Sequence, residues 1–194
     1  MIFWNSAQTK EELKKGDQGL IRKLAIEVFK KELVYPWTQE ICDRHCHPMT
    51  LYSAALNDNR SKCLGYFEVT IVTERYYQKL LKGTAKEEDF EPWSYETKES
   101  PLLFIRNLVI KDRRATPYIF RTLVKELQET CAHSDIYLHR AFTIATHWIT
   151  KRVLKNYQFE QTGTYQGKYP ILMASRDKST VFNSFMKRYE NEEL

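Results

Sequence analysis

Two stretches of the chain hold residue types that could do chemistry. Residues 110–127 read IKDRRATPYIFRTLVKEL, with Arg113 and Arg114 just ahead of a segment that has helical apolar spacing. The first N–H groups of a helix have no partner inside it, and the helix dipole favours an anion there, so strand, basic turn and helix start often form a phosphate site. Two guanidinium groups would add charge-assisted hydrogen bonds. The turn contains no glycine, and Pro117 brings no N–H, so a plain solvated connection is the alternative. The second stretch, CDRHCH, groups Cys42, His45, Cys46 and His47, all of types that bind zinc. Structural zinc sites divide their ligands between spaced pairs, and His45, Cys46 and His47 are adjacent, so no metal is expected. That stretch reads as a loop beside a substrate entrance.

The elements that must position these residues follow from the apolar periodicities. MIFWNSA reads as a short strand and TKEELKKG as a charged helical turn. In DQGLIRKLAIEVFKKEL, Leu20, Ile21, Leu24, Val28 and Leu33 give an amphipathic helix that Pro36 ends. MTLYSAAL and CLGYFEVTIV flank the polar NDNRSK and predict a hairpin of antiparallel neighbours. ERYYQKLLK predicts a helix that opens the irregular region 74–100, readable either as a lid or binding loop or as a tolerated insertion. The run PLLFIRNLVI predicts a central strand over residues 102–110, buried on both faces, whose polar Arg106 and Asn107 then need partners.

Pro117 suits the first turn of a helix over Tyr118–Thr130 with a buried stripe of Ile119, Phe120, Leu123, Val124 and Leu127. DIYLHRA reads as a strand, THWITKRVLKNY as a helix capped by Thr146, QFEQTGTY and YPILMAS as a closing strand pair, and STVFNSFMKRYE as a last amphipathic helix. No repeat or internal linker interrupts the pattern. One α/β domain over residues 1–194 with a mixed sheet is expected.

Composition excludes some classes. With 42% hydrophobic and 28% charged residues and only 6 Gly and 6 Pro, the 194-residue chain is neither low-complexity nor disordered. No apolar run reaches the length of a membrane span, and MIFWNSAQ lacks the features of a signal peptide, so a cytoplasmic protein is expected. Cys42, Cys46, Cys63 and Cys131 show no paired framework and read as free thiols. The net charge of +5 is dispersed among acidic residues, as in TKEELKK and KGTAKEED, which suits a phosphorylated cofactor or an acidic carrier protein better than nucleic acid, and an ordinary solvated surface equally.

Over residues 1–175 the element order resembles the GNAT superfamily of acyl-CoA-dependent N-acyltransferases. NLVIKDRRATPYIFRTLVKEL is similar to that family's acyl-CoA motif, and HWITKRVLKNYQFEQTGTY to its later helix-strand motif, with Phe159 at the usual phenylalanine. The turn departs from the family pattern: Arg113 and Arg114 are followed by Ala115, Thr116, Pro117 and Tyr118 rather than by spaced glycines, and Leu154 stands where a tyrosine often serves as general acid. A remoter resemblance links AIEVFKKELVYPW and the insertion at 74–100 to the acyl-homoserine-lactone synthases and N-acyl amino acid synthases, which draw acyl groups from acyl carrier protein. In that comparison the family's arginines correspond to Ala25 and Glu32, and its acidic cluster to Glu40 and Asp43.

The resemblance implies an α/β, GNAT-like mixed and mostly antiparallel central sheet flanked by helices. It implies an acyl thioester donor, acetyl-CoA or another acyl-CoA, with the phosphopantetheine of acyl carrier protein as the alternative, and a small-molecule or protein amine as acceptor. The strand backbone at Leu108, Val109 and Ile110 would pair with the pantetheine arm, while Arg113, Arg114 and the N–H groups around Thr116, Tyr118 and Ile119 would take the phosphates. Amine acylation also needs a route for a proton to leave. Glu68 is the first candidate base, against the alternative of an outward residue on an alternating strand; His139 and His147 are the others, and His147, at a helix start, is equally readable as packing or capping. The same fold without turnover, serving binding or regulation, is the competing class. Nothing in the sequence specifies nucleic-acid binding, an acyl-chain length or an oligomeric state.

Overall fold

The computed structural model describes residues 2–5, 15–29, 47–146, 154–180 and 183. Strands β1 (Ile2–Asn5), β2 (Thr50–Leu56), β3 (Cys63–Thr73), β4 (Pro101–Ile110), β5 (Arg140–Ile144), β6 (Glu160–Tyr165) and β7 (Tyr169–Ser175) form one sheet. Their order is β1-β2-β3-β4-β5-β7-β6, so β4 is central, as its apolar run predicts. Helices α1 (Lys15–Phe29), α2 (Glu74–Leu81) and α3 (Thr116–His133) accompany it. β1–β2, β5–β7 and β6–β7 are antiparallel, and β4–β5 is parallel in the register Leu103↔Ala141, Phe104↔Phe142. The sheet is therefore mixed and mostly antiparallel.

Contacts cluster into two compact units, Met1–Val69 with Arg106–Glu129, and Thr70–Ile105 with Thr130–Leu194. In the first, Ile21, Leu24 and Ala25 of α1 pack with Tyr52, Ala54, Leu56, Cys63, Tyr66 and Val109. Val28, expected in the buried stripe of α1, is exposed. The 57–62 hairpin turn is closed by its own polar side chains: Asn57 Oδ1 accepts from the N–H groups of Ser61 and Lys62. The second unit has an aromatic core in which Phe104 and Phe142 stack at 4.5 Å and Tyr77 lies 4.8 Å from Phe142.

The 74–100 region is anchored along its length. Thr73 caps α2 by accepting from Tyr76 N–H, as a β-region Ncap threonine does. Beyond α2, Pro92 bridges Val72, Trp93 N–H donates to Ile71, and the Trp93 indole donates to the Glu99 carbonyl at 2.8 Å. Tyr76 donates its hydroxyl to the Lys86 and Glu87 carbonyls, and Phe90 and Trp93 are buried. Those bonds satisfy backbone groups that a free loop would leave to water.

Two expectations shift. DIYLHRA is extended, with Ile136 and Leu138 buried and Tyr137 and His139 exposed, but the hydrogen-bonded strand begins only at Arg140 and runs to Ile144. Alternation reports which way side chains face, whereas a strand needs a laddered neighbour, which the sequence pattern does not contain. In α3, Phe120 is exposed and Val124 only half-buried; the buried stripe is Ile119, Leu123, Glu126 and Leu127, so a carboxylate takes a core position. Of the THWITKRVLKNY helix only residues 154–156 are described as helical, and the rest of it, like most of the last helix, lies outside the described residues.

Candidate functional site

The first unit gathers most of the polar residues singled out above. β3 carries Glu68, and β4 carries Arg106 and Asn107. The Arg106 guanidinium lies on Glu68 Oε1 and the Asn107 amide donates to Oε2 at 2.7 Å. The side chains of Glu68 and Arg106 are 6% and 4% exposed, so Glu68 is not the outward-facing residue that simple alternation allows. Successive strand residues normally face opposite ways, yet here two of them reach one carboxylate. Glu68 stands among phenols: burial first, then Tyr66, Glu68 and Cys63, pushes the Tyr52 hydroxyl well above the usual tyrosine range, so it stays neutral.

β3 also holds the end of β4 in place. The Leu64 carbonyl accepts from both Lys111 and Asp112 N–H groups, at 2.9 and 3.0 Å. Contacts with rising β3 numbers fall to lower β4 numbers, so the two strands run antiparallel. At Gly65 the approach is so close that a Cβ would lie 2.6 Å from Ile119 Cδ1 and 2.7 Å from the Val109 carbonyl oxygen. After β4, Asp112 opens a 3₁₀ turn, Arg113–Ala115, that runs directly into α3. Leu108 is exposed, while Val109 is buried.

The turn uses part of its own donor set. Asp112 Oδ1 accepts from Arg114 N–H, and the Arg114 guanidinium binds both Asp112 oxygens, holding that carboxyl at about 2. Ala115 N–H donates to Asp112 and Thr116 N–H to Arg113, so the Thr116 amide is already engaged. Arg113 is exposed and has no ion pair among the described residues. Tyr118 is exposed at the start of α3, and Ile119 is buried against Gly65.

The two histidines lie elsewhere. His139 is exposed in the second unit, edge-on to Tyr137 at 4.4 Å, and its carbonyl accepts from Arg176 N–H. His147 lies outside the described residues. So do Cys42, His45 and Cys46, while His47 uses Nδ1 to accept from Met49 N–H. Cys63 and Cys131 are buried free thiols, and burial raises Cys63 to about 11. No described helix is long and apolar enough to cross a membrane.

Four residues have roles that the local sequence pattern does not assign. Arg106 and Asn107 are visible there as polar interruptions of an apolar run, but their common partner is not. Gly65 carried a signal, an isolated glycine inside a β-rich run, which marks close backbone approach. Glu126 also had one, since it stands three residues after Leu123 and seven after Ile119, on the stripe that faces the core.

The chain resembles an N-acyl amino acid synthase from uncultured soil microbes, FeeM, with a TM-score of 0.52 at 9% identity over 94% of this chain and 97% of that one. The fold is that of the GNAT acyltransferases. Other solved structures of lower likeness are an Arabidopsis thaliana NAA60 in complex with acetyl-CoA (TM-score 0.48, 10% identity, 89% and 95% coverage) and an aminoglycoside 6'-acetyltransferase type Ii (0.48, 12%, 90% and 97%). No family model and no curated protein matches the sequence. The likeness is thus one of fold, at an identity where sequence comparison carries no signal.

Proposed function

We propose that the chain is an N-acyltransferase that moves an acyl group from a CoA thioester to an amine. One observation carries the reading: in a GNAT-like fold, a buried carboxylate, Glu68, is held by two successive β4 side chains just ahead of the exposed Leu108 and a basic turn. Glu68 is the proton acceptor for the amine, directly or through water. The backbone of Leu108–Ile110 takes the pantetheine arm as an added strand would. Exposed and unpaired among the described residues, Arg113 is the first phosphate contact; Arg114 joins it by exchanging Asp112 for the ligand. The N–H groups at Tyr118 and Ile119 and the Thr116 side of the turn complete the donor end. The exposed Arg113 and Leu108 fit such a donor, whereas the Asp112 carboxylate beside them opposes an anion.

Acyl carrier protein is the second donor class, supported by the likeness to an N-acyl amino acid synthase. The engaged Thr116 amide and the Arg114–Asp112 pair favour a further reading, a relative that binds without turning over. The purified chain, offered acetyl-CoA, a long-chain acyl-CoA or acyl carrier protein with a broad amine panel, is expected to bind a donor and release free thiol. Absence of both donor binding and thiol release would overturn the acyltransferase assignment and leave the non-catalytic one. Mass spectrometry of co-purified ligands identifies the acyl chain.

A further inference from the structure

We propose that α3 has a second packing, reached by rotation about its own axis, that carries Glu126 out to water and turns Phe120 and Val124 in toward the sheet. Ionisation of Glu126 selects that packing and re-aims the start of α3, so pH regulates donor binding. This second step rests on the acyl-transfer reading above; the first does not.

α3 carries two overlapping apolar stripes. At about 100° per residue, Ile119, Leu123 and Leu127 form a shared centre, with Glu126 on one flank and Phe120 and Val124 on the other. The observed packing seats the Glu126 flank: Glu126 is 2% exposed, while Phe120 is 39% exposed and Val124 only half-buried. Among the described residues neither Glu126 oxygen has a hydrogen-bond partner, so this position suits the neutral acid and not the carboxylate. The charged groups that act on it are Glu129, which opposes its ionisation, and Lys125, which favours it, both on α3. In the strands of the same unit, β1 and β2 hold no charged residue, β3 holds Glu68, and β4 holds Arg106, which lies on Glu68. Tyr52, Tyr66 and Cys63 belong to the cluster that packs on α1, which includes no described residue of α3. An ionised Glu126 kept in place would be desolvated, whereas a small rotation brings it to water and exchanges it for a phenyl ring and an isopropyl group.

The rotation reaches the donor end because the 3₁₀ turn Arg113–Ala115 runs directly into α3. Ile119, about two turns before Glu126 on the same stripe, is seated so closely on β3 that a Cβ at Gly65 would lie 2.6 Å from its Cδ1. Turning the stripe shifts Ile119 on that seat and re-aims Arg113 and the Tyr118 and Ile119 N–H groups, the proposed phosphate contacts. The sign follows from the two environments. In the observed packing burial keeps the Glu126 proton up to about pH 8, and an exposed carboxyl loses it near 4.5, so rising pH favours the rotated packing. With a transition near pH 8, about nine in ten chains hold the donor-binding packing at pH 7 and about one in eleven at pH 9.

The test reads the helix and the donor separately. Fluorophenylalanine is incorporated throughout the chain, the Phe120 resonance is assigned by its loss in Phe120→Leu, and its shift between light and heavy water reports exposure. From pH 6 to pH 9 that solvent shift should be lost in the wild type, with circular dichroism still that of the folded protein, and should persist in Glu126→Gln. Glu126→Leu serves the same purpose where glutamine destabilises the fold. The Kd for acetyl-CoA or a long-chain acyl-CoA, by calorimetry, should rise about tenfold or more from pH 7 to pH 9 in the wild type and less than about twofold in Glu126→Gln. Phe120→Ser removes the ring that the rotated packing buries and should hold donor affinity to higher pH. A Phe120 signal that ignores pH in the folded wild type, or responds equally in Glu126→Gln, overturns the second packing whatever the donors do. A Phe120 response with donor affinity that ignores pH overturns the coupling to the site. A Glu126-dependent Phe120 response with no donor bound at any pH overturns the donor reading of the site and leaves the second packing standing.

Discussion

Glu126 makes the stability of this protein depend on pH in an unusual direction. It lies on the core stripe of α3, is 2% exposed, and among the described residues neither carboxyl oxygen has a hydrogen-bond partner. Burial, with repulsion from Glu129 and only partial relief from Lys125, raises its carboxyl from 4.5 to about 8. Between those two values the unfolded chain has lost the proton and the folded chain keeps it. Stability from this group is therefore complete below pH 4.5 and falls as pH rises toward 8, by about 1.4 kcal/mol per pH unit. The loss reaches about 3 kcal/mol at pH 7 and about 5 kcal/mol well above pH 8. Glu126→Gln keeps the shape and removes the titration. Urea denaturation of wild type and Glu126→Gln from pH 5 to pH 9 should give curves that diverge with rising pH, the glutamine variant becoming the more stable by several kcal/mol at the alkaline end. A difference between the two proteins that stays constant over this range would refute the reasoning, because it would mean that the carboxyl ionises as freely in the folded state as in the unfolded one.

Gly65→Ala should destabilise by about 1–3 kcal/mol in thermal or urea unfolding, because its Cβ meets the Val109 carbonyl and an Ile119 side chain that anchors α3; Gly163→Ala, whose Cβ would meet only the flexible end of Leu81 at 2.6 Å, should cost less. Replacing Arg113 and Arg114 together with alanine should weaken donor binding and flatten its salt dependence, with the single Arg113→Ala variant accounting for most of the effect since Arg114 is shared with Asp112; equal donor affinity in calorimetry would count against the phosphate assignment. Glu68→Gln should lower kcat by about 100-fold or more with donor affinity unchanged, and a normal Glu68→Gln enzyme alongside an impaired His139→Ala or His147→Ala would move the base to that histidine.

Most of the architecture was legible because it rests on short-range patterns. The apolar run at 101–110, the alternating runs on either side of NDNRSK, and the β6–β7 turn at Gly167 are each specified within about ten residues, the scale on which periodicity is informative. α3 was legible as a helix, but its face was only partly so: Phe120 looks like core by type, while Glu126 looks like surface, and the two exchange places. Residue type reports the average tendency of a side chain, and a single helix rotated by a fraction of a turn overrides it.

The candidate site was legible in a different way. The basic turn after a buried strand is a local motif, so Arg113 and Arg114 could be singled out, but not the Asp112 side chain that claims Arg114 or the carbonyl that claims the Thr116 amide. Those depend on the turn's being a 3₁₀ connection that flows into α3, a matter of backbone dihedrals. The sequence by itself determined which segments become strands and helices, where the basic turn falls, and that Arg106 and Asn107 would require partners in a buried strand. Tertiary structure alone decided that their partner is Glu68, thirty-eight residues earlier on a neighbouring strand, because strand register, which fixes the pairing of distant residues, is set by packing over the whole sheet and not by any local run of sequence.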